Sequence, residues 1–227
     1  MRGDKMKIIA RIQTKFKEKF GIPRQSGIAD TEAKIIFEPE YRRREAFLGI
    51  EGYSHLWIIW EFSEAKRDSW SPTVRPPRLG GNKRMGVFAT RSPYRPNPIG
   101  LSSVKLIGVE YTEELGPVLH VTGADILDGT PIFDIKPYLA YTDSHPDAVC
   151  GFADEVKDYK IEVSFPDELL SKIDIADRNE LIRMLENDPR PSYKKDDERE
   201  YGMKFSHYEV FFKVINDALF VTRIGTV

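Results

Sequence analysis

The chain has 227 residues, of which 41% are hydrophobic and 31% charged, and its formal net charge is −2. This length allows one large domain, or one domain plus a small one, with a buried core in either case. The single cysteine, Cys150, excludes an internal disulfide framework and is typical of a reducing compartment. No apolar run approaches the roughly 18 residues that span a bilayer, so we expect a cytoplasmic protein without a membrane partner.

The N-terminal part predicts short strands joined by polar loops. Residues 6–14 alternate well enough to be a first strand, and residues 33–38 predict a second. Between them, the glycines and proline of residues 21–27 indicate a loop that presents Arg24 and Gln25. These two side chains either contact the polar edge of a ligand or are simply solvated.

The next segment predicts a helical turn followed by a buried strand. Residues 41–48 are consistent with a short helix or turn, and residues 56–62 form an apolar and aromatic run typical of a buried strand. Ser54 and His55 immediately precede that run. His55 is either a hydrogen-bonded structural residue or a catalytic one, because histidine titrates near neutrality and suits both tasks.

A basic stretch follows, in which residues 69–109 contain no Asp or Glu. Globular surfaces usually mix the two signs of charge, so this composition predicts a negatively charged partner, the alternative being a loop of solvated arginines. The stretch carries seven positive charges, which are Arg75, Arg78, Lys83, Arg84, Arg91, Arg95 and Lys105.

Prolines make the centre of this stretch stiff. Each proline fixes its own φ and pushes the preceding residue toward extended conformations. Arg91, Arg95 and Asn97 therefore lie on a rigid, non-helical segment that loses little entropy on binding. Residues 85–90 and 99–109 predict the strands that flank it.

A second polar cluster follows a strand predicted at residues 117–124. Residues 128–131 (DGTP) have the signature of a turn, and residues 132–135 predict a short strand that carries Asp134 and Lys136 to neighbouring positions. These opposite charges form an internal salt bridge, or Asp134 accepts from an amine or amide donor while Lys136 contacts a phosphate.

The C-terminal part is more acidic and more helical. Residues 151–200 contain 15 acidic and 9 basic residues. Residues 166–185 predict a helix, residues 194–200 a charged connector, and residues 207–224 a hairpin that turns at Asn216.

Several motifs are absent from the chain. It has no G-x-G-x-x-G or Walker sequence, no nucleophile elbow and no His or Cys cluster with metal-ligand spacing, so we expect no metal. Many short strands separated by Pro and Gly turns predict a mainly β protein with a closed or nearly closed barrel.

The strings FGIPRQSG, GYSHLWIIWEF, PTVRPPRLGGNKRMGVFATRSPYRPNPIGLS, DGTPIFDIKPYL and DPRPSY together resemble the TsaA/TrmO family. The resemblance implies a compact β-barrel domain that binds S-adenosylmethionine, residues 1–152, followed by a small α+β C-terminal domain, residues 153–227, in a homodimer. It also implies methyl transfer to the exocyclic nitrogen of threonylcarbamoyl-adenosine next to the anticodon of a tRNA substrate.

The resemblance further implies two sets of site residues. The cofactor pocket would comprise Pro23, Arg24, Gln25, Ser54, His55, Leu56, Arg91, Leu101, Ile126, Leu127, Asp128, Gly129 and Thr130. The substrate-facing set would comprise Arg95, Asn97, Asp134, Lys136 and Tyr138. Within it, we hypothesise that Asp134 accepts the proton, or that Lys136 and Arg95 stabilise the negative charge, while Asn97 and Tyr138 bind substrate.

Two other functions are compatible with the same residues. A non-catalytic module could use the basic loop to hold a nucleotide or an RNA phosphate. A hydrolase using Asp128 and Asp134 would need a metal or paired carboxylates, and the sequence contains no motif for either.

Overall fold

The computed structural model describes residues 6–65, 69–76, 79, 83–190, 196 and 199–226. Arg78 of the basic stretch lies outside the described residues, and so does most of the connector predicted at residues 194–200. Within the described ranges, no helix is long and apolar enough to cross a membrane.

Short strands dominate the chain, as the sequence predicts. The strands are β1 (Ala10–Gln13), β2 (Glu32–Phe37), β3 (His55–Glu61), β4 (Thr73–Val74), β5 (Met85–Gly86), β6 (Ile99–Thr112), β7 (Gly116–Thr122), β8 (Pro131–Pro137), β9 (Glu162–Ser164), β10 (Tyr201–Phe205), β11 (Tyr208–Ile215) and β12 (Ala218–Thr226). The α-helices are α1 (Ala140–Asp143), α2 (Asp167–Leu170) and α3 (Ile175–Glu186).

Six of the strands form a closed barrel in the order β1-β2-β7-β6-β3-β8. Alternate residues point inward, because successive side chains of a strand lie on opposite faces. On β3, Leu56, Ile58 and Trp60 fill the barrel core, whereas His55, Trp57 and the other residues between them are only partly buried. The strand predicted at residues 56–62 is therefore buried on one face rather than two.

Trp60 packs against the backbone of β6 at Gly100, its partner in the strand register. A Cβ atom on Gly100 would lie 2.2 Å from Cε2 of the indole, so only glycine allows this close approach. The indole is thereby packed closely against β6 in the barrel core.

The C-terminal part forms a second sheet in the order β10-β11-β12-β9, with its own hydrophobic core. Helix α3 buries Leu181, Met184 and Leu185 in that core. The hairpin predicted at residues 207–224 is confirmed, and Asn216 and Asp217 form its turn with positive φ.

The segment that follows β1 joins the two cores. The side chain of Phe16 is 1% exposed and packs in the C-terminal core. The next residue back, Lys15, places Nζ 2.7 Å from carboxylate oxygens of both Asp177 and Glu180 on α3. The barrel and the C-terminal sheet are therefore held together by apolar and ionic contacts of neighbouring residues.

The mainly β fold with a barrel is confirmed, and two local predictions are wrong. Residues 85–90 form only the short strand β5, followed by a 3-10 turn at Val87–Ala89. The helix predicted at residues 166–185 is broken between α2 and α3, where Ile173 turns into the core with 1% exposure. The boundary between residues 152 and 153 stays a prediction.

Candidate functional site

Gln25 and Arg91 meet at the candidate site. Arg91 Nη1 donates a hydrogen bond to Gln25 Oε1, although the two residues are 66 positions apart. Gln25 lies on the loop between β1 and β2, and Arg91 follows the 3-10 turn at Val87–Ala89. The guanidinium has five N–H donors, so further donors can reach an anionic ligand.

Asp125 lies beside this pair and was not among the predicted site residues. Its Oδ1 accepts a hydrogen bond of 2.6 Å from Ser102 Oγ, which accepts one of 3.0 Å from Trp60 Nε1. Burial raises the pKa of Asp125 above its usual value. The hydrogen bond from Ser102, the charge of Arg91 and the backbone N–H of Ser26 act in the opposite direction.

Residues 126–130 are bound to β1 and the segment after it. Thr14 N–H donates to Asp128 Oδ1 at 2.9 Å, and Lys17 Nζ lies 2.8 Å from Oδ2 of the same carboxylate. Ile126 is fully buried and Thr130 is 3% exposed. The predicted turn is confirmed, with Gly129 at φ 75°. In this structure the carboxylate of Asp128 has a structural task, and a contact of residues 126–130 with a cofactor stays a prediction.

A second group of predicted residues shares the outer face of the barrel across β6, β3 and β8. The strand register places Leu101 beside Ile59 and Ile59 beside Asp134 in one row. In the neighbouring rows, Lys136 lies beside Trp57, and the ring of Tyr138 is 6.1 Å from that of His55. The predicted residues on this face are His55, Leu101, Asp134, Lys136 and Tyr138.

On this face, Lys136 Nζ lies 2.9 Å from Asp134 Oδ2. The salt bridge expected as one alternative is therefore formed, with the two side chains 63% and 45% exposed. At such exposure an ion pair contributes little to stability, so both groups remain available to a ligand.

The other predicted residues have more local surroundings. Ser54 Oγ lies 2.9 Å from His55 Nδ1, and the side chain of Leu56 is in the barrel core, so a cofactor contact of Leu56 stays a prediction. Pro23 is buried, and Arg24 Nη2 donates to the carbonyl of Arg190 at 2.9 Å. Arg24 therefore ties the loop to the C-terminal part of the chain.

The proline-rich segment is non-helical, as predicted. Arg95 N–H donates to the carbonyl of Pro93 and Ile99 N–H to that of Asn97, which gives two tight turns. The guanidinium of Arg95 folds back to the Thr90 carbonyl at 3.3 Å, whereas Asn97 is exposed.

The basic stretch also contains a small hairpin with aromatic rings at its base. Strands β4 and β5 pair, and the rings of Trp70 and Phe88 lie 6.1 Å apart beside them. Trp70 is 50% exposed and Phe88 72% exposed. Arg75, Lys83 and Arg84 are exposed on the same hairpin. An exposed aromatic pair beside a hairpin that carries three cations suits a ligand with both flat rings and negative charge.

Among the described residues, no group of three or more His, Cys, Asp or Glu side chains could hold a metal ion. Cys150 is exposed. The missed residue, Asp125, does have a sequence signal, since it is the first acid after the apolar strand β7 and opens the polar cluster.

Comparison with known proteins matches both parts of the chain. A family model described as the tRNA-methyltransferase O N-terminal domain matches residues 11–144, and one described as the TrmO C-terminal domain matches residues 158–227. The chain is 40% identical over 217 residues to a tRNA (adenine(37)-N6)-methyltransferase of Escherichia coli K12, covering 91% of each chain.

Two further comparisons agree. A Methanothermobacter thermautotrophicus relative, named "Probable S-adenosyl-L-methionine-binding protein", is 38% identical over 133 residues, which are 59% of this chain and 88% of that one. A crystal structure of TrmO from Pseudomonas aeruginosa has a TM-score of 0.81 at 30% identity and covers 100% of this chain and 99% of its own.

Proposed function

Since the chain belongs to the tRNA-methyltransferase O family, we propose that it transfers a methyl group from S-adenosylmethionine to tRNA. The acceptor is the exocyclic nitrogen of threonylcarbamoyl-adenosine next to the anticodon, and the reaction takes place in the cytoplasm, a reducing compartment of which a single unpaired cysteine is typical. The observation that carries the proposal is the hydrogen bond between Arg91 and Gln25, because it joins two distant segments that both have chemistry suited to this cofactor.

The residues at this point fit the charged and polar parts of S-adenosylmethionine. The free N–H groups of Arg91 suit its carboxylate, and the amide of Gln25 suits an adenine edge. Asp125 supplies a negative charge within reach of the same space, which suits a cationic ligand. The cofactor supplies an already activated methyl group, so the chain mainly aligns donor and acceptor.

The substrate-facing residues come from two places, the outer barrel face with Asp134, Lys136 and Tyr138 and the proline-rich segment with Arg95 and Asn97. Asp134 is assigned as the group that takes the proton from the acceptor nitrogen. Lys136, whose Nζ is 2.9 Å from that carboxylate, keeps a positive charge where negative charge develops. Arg95 adds a second cation, and Asn97 and Tyr138 bind the base or its threonylcarbamoyl group.

A homodimer accounts for the division of the predicted residues into two groups. Gln25 and Arg91 form one group at the loop, and the residues of β6, β3 and β8 form the other on the outer barrel face. That face exposes 55% of Leu101, which a second copy would cover. In the dimer, the loop of one copy would complete the face of its partner. Ultracentrifugation of the Leu101→Glu variant tests this arrangement, and an unchanged molecular mass would contradict it.

The tRNA would lie along the basic stretch. Its cations would contact phosphates, and the exposed rings of Trp70 and Phe88 would stack on unpaired bases of the anticodon loop. We expect tRNA affinity to fall steeply between low and moderate salt, because each phosphate contact releases counterions. A flat salt response in filter-binding assays would contradict this surface.

The decisive experiment is incubation of the purified protein with methyl-labelled S-adenosylmethionine and tRNA from two cell strains, one of which lacks threonylcarbamoylation. We expect label in the tRNA of the first strain only. Cofactor binding without transfer to either tRNA would favour the non-catalytic binding module instead.

A further inference from the structure

A short chain of hydrogen bonds inside the barrel ends at Asp125. An indole N–H can only donate, so Trp60 Nε1 is the donor to Ser102 Oγ at 3.0 Å. The hydroxyl hydrogen of Ser102 then points to Asp125 Oδ1, 2.6 Å away. Trp60 is 5% and Ser102 1% exposed, so water does not compete for these bonds. The direction of both bonds is fixed, and the carboxylate is the final acceptor.

The other interactions of Asp125 point toward the Gln25–Arg91 pair. The backbone of Ser26, the residue directly after Gln25, and the positive charge of Arg91 both favour the ionised form of this carboxylate and lower its pKa, so both groups lie near Asp125. Asp125 thus acts on both partners of that pair without bonding to the side chain of Gln25. Its position ties the loop and the basic stretch to the rim of the barrel.

Ionising Asp125 costs desolvation free energy, because burial disfavours a charged carboxylate. An asparagine would fill the same volume without that cost, but it has only one acceptor oxygen for the donors that converge here. The presence of a carboxylate rather than an amide at position 125 is therefore explained by the neighbouring groups that it positions, and not by a contribution to the stability of the fold.

We infer that Asp125 is a positioning residue for S-adenosylmethionine. It fixes the backbone at Ser26 and the guanidinium of Arg91, so that Gln25 and Arg91 are presented together to the cofactor. This inference rests on the function proposed above, and it adds a residue that does not itself touch the reacting atoms.

The test is calorimetric titration of S-adenosylmethionine into the full chain and three variants at pH 7. We expect about tenfold weaker binding for Asp125→Asn, which removes the negative charge and one acceptor oxygen, and several-fold weaker binding for Ser102→Ala, which removes a hydrogen bond to the carboxylate. Glu110→Gln removes an exposed carboxylate that pairs with His120 away from this cluster, and its affinity should equal that of the wild type.

Two readouts separate positioning from a merely structural role. In steady-state assays, Asp125→Asn should raise KM for S-adenosylmethionine more than it lowers kcat. Wild-type affinity should also fall on acidification, because protonation removes the charge that attracts Arg91, the charged group that faces Asp125. Ser26, Ser102 and Trp60, which also face it, are neutral. The affinity of Asp125→Asn should lack this pH dependence.

The outcomes are distinguishable. If the wild type binds S-adenosylmethionine and Asp125→Asn binds it equally well, the inference is overturned while the proposed function stands. If the wild type does not bind this cofactor, the inference about Asp125 and the proposed function are both overturned. Should Asp125→Asn fail to fold, Ser102→Ala decides, because it keeps the carboxylate, and wild-type affinity in that variant overturns the inference.

Discussion

Replacing Gly100 by alanine tests whether the packing of Trp60 holds the candidate pocket together. The new Cβ would lie 2.2 Å from Cε2, 2.4 Å from Cζ2 and 2.6 Å from Cδ2 of the indole. Non-bonded carbon atoms prefer separations of about 3.5–4.0 Å, so the ring must move by more than 1 Å. Because Trp60 is buried and packed in the barrel core, no free space receives it.

The expected loss of stability has two parts. Overpacking of a core costs about 1–3 kcal/mol, and loss of the hydrogen bond from Trp60 to Ser102 costs about another 1 kcal/mol. We therefore expect the free energy of unfolding to fall by about 2–4 kcal/mol. Affinity for S-adenosylmethionine should fall as well, because Ser102 would no longer be oriented toward Asp125.

Gly108→Ala is the matched control for this experiment. It adds the same methyl group to the same strand, β6, but its Cβ meets no atom within 4 Å. We expect its effect on the free energy of unfolding to stay within about 0.5 kcal/mol. Urea unfolding followed by circular dichroism gives both values. If Gly100→Ala is as stable as Gly108→Ala, the reasoning about Trp60 is refuted.

Asp134→Asn should abolish methyl transfer while binding of S-adenosylmethionine, measured by calorimetry, is retained. Trp70→Ala and Phe88→Ala should each weaken tRNA binding in filter assays about 5- to 150-fold, because stacking on an aromatic ring contributes about 1–3 kcal/mol per base. Lys15→Ala should lower the free energy of unfolding by about 3 kcal/mol, since two largely buried carboxylates lose their cation. This deficit should narrow as the pH falls, because burial raises the pKa of Glu180 and acid removes its charge.

Each of these results has a contrary outcome. Turnover by Asp134→Asn would remove that carboxylate from the mechanism, and unchanged tRNA affinity would remove the two rings from the RNA surface. Lys19→Ala is the control for Lys15→Ala, since its partner Glu64 is exposed, and it should cost less than about 1 kcal/mol. Equal losses in the two lysine variants would contradict the burial argument.

The sequence predicts those features that depend on local chemistry. Absence of acids identifies the basic stretch, prolines identify its rigid centre, and alternation identifies β2 and β6. The family resemblance places Gln25 and Arg91 in one pocket but does not predict the hydrogen bond between them, and no local pattern relates residues 66 positions apart.

The features that the sequence does not predict correctly are determined by contacts between residues that are far apart in the chain. The helix predicted at residues 166–185 breaks because Ile173 enters the core and the backbone N–H of Asp174 donates to the Tyr208 hydroxyl at 3.0 Å. The sequence alone does not identify Asp125 as a site residue, because its importance comes from Ser102 on β6 and from the loop at Ser26. The residues that flank Asp125 in the sequence do not indicate that Ser102 and Ser26 are its neighbours in the fold.

The place of Phe16 has a consequence for how the protein is made. Ribosomal synthesis delivers the barrel strands by Pro137 but the last strands that cover this ring only by Val221. At 5–20 residues per second, those 84 residues take roughly 4–17 s to emerge. During that interval a nascent chain whose barrel had closed first would expose the ring of Phe16, and exposed apolar surface of this kind makes partly folded chains prone to aggregation.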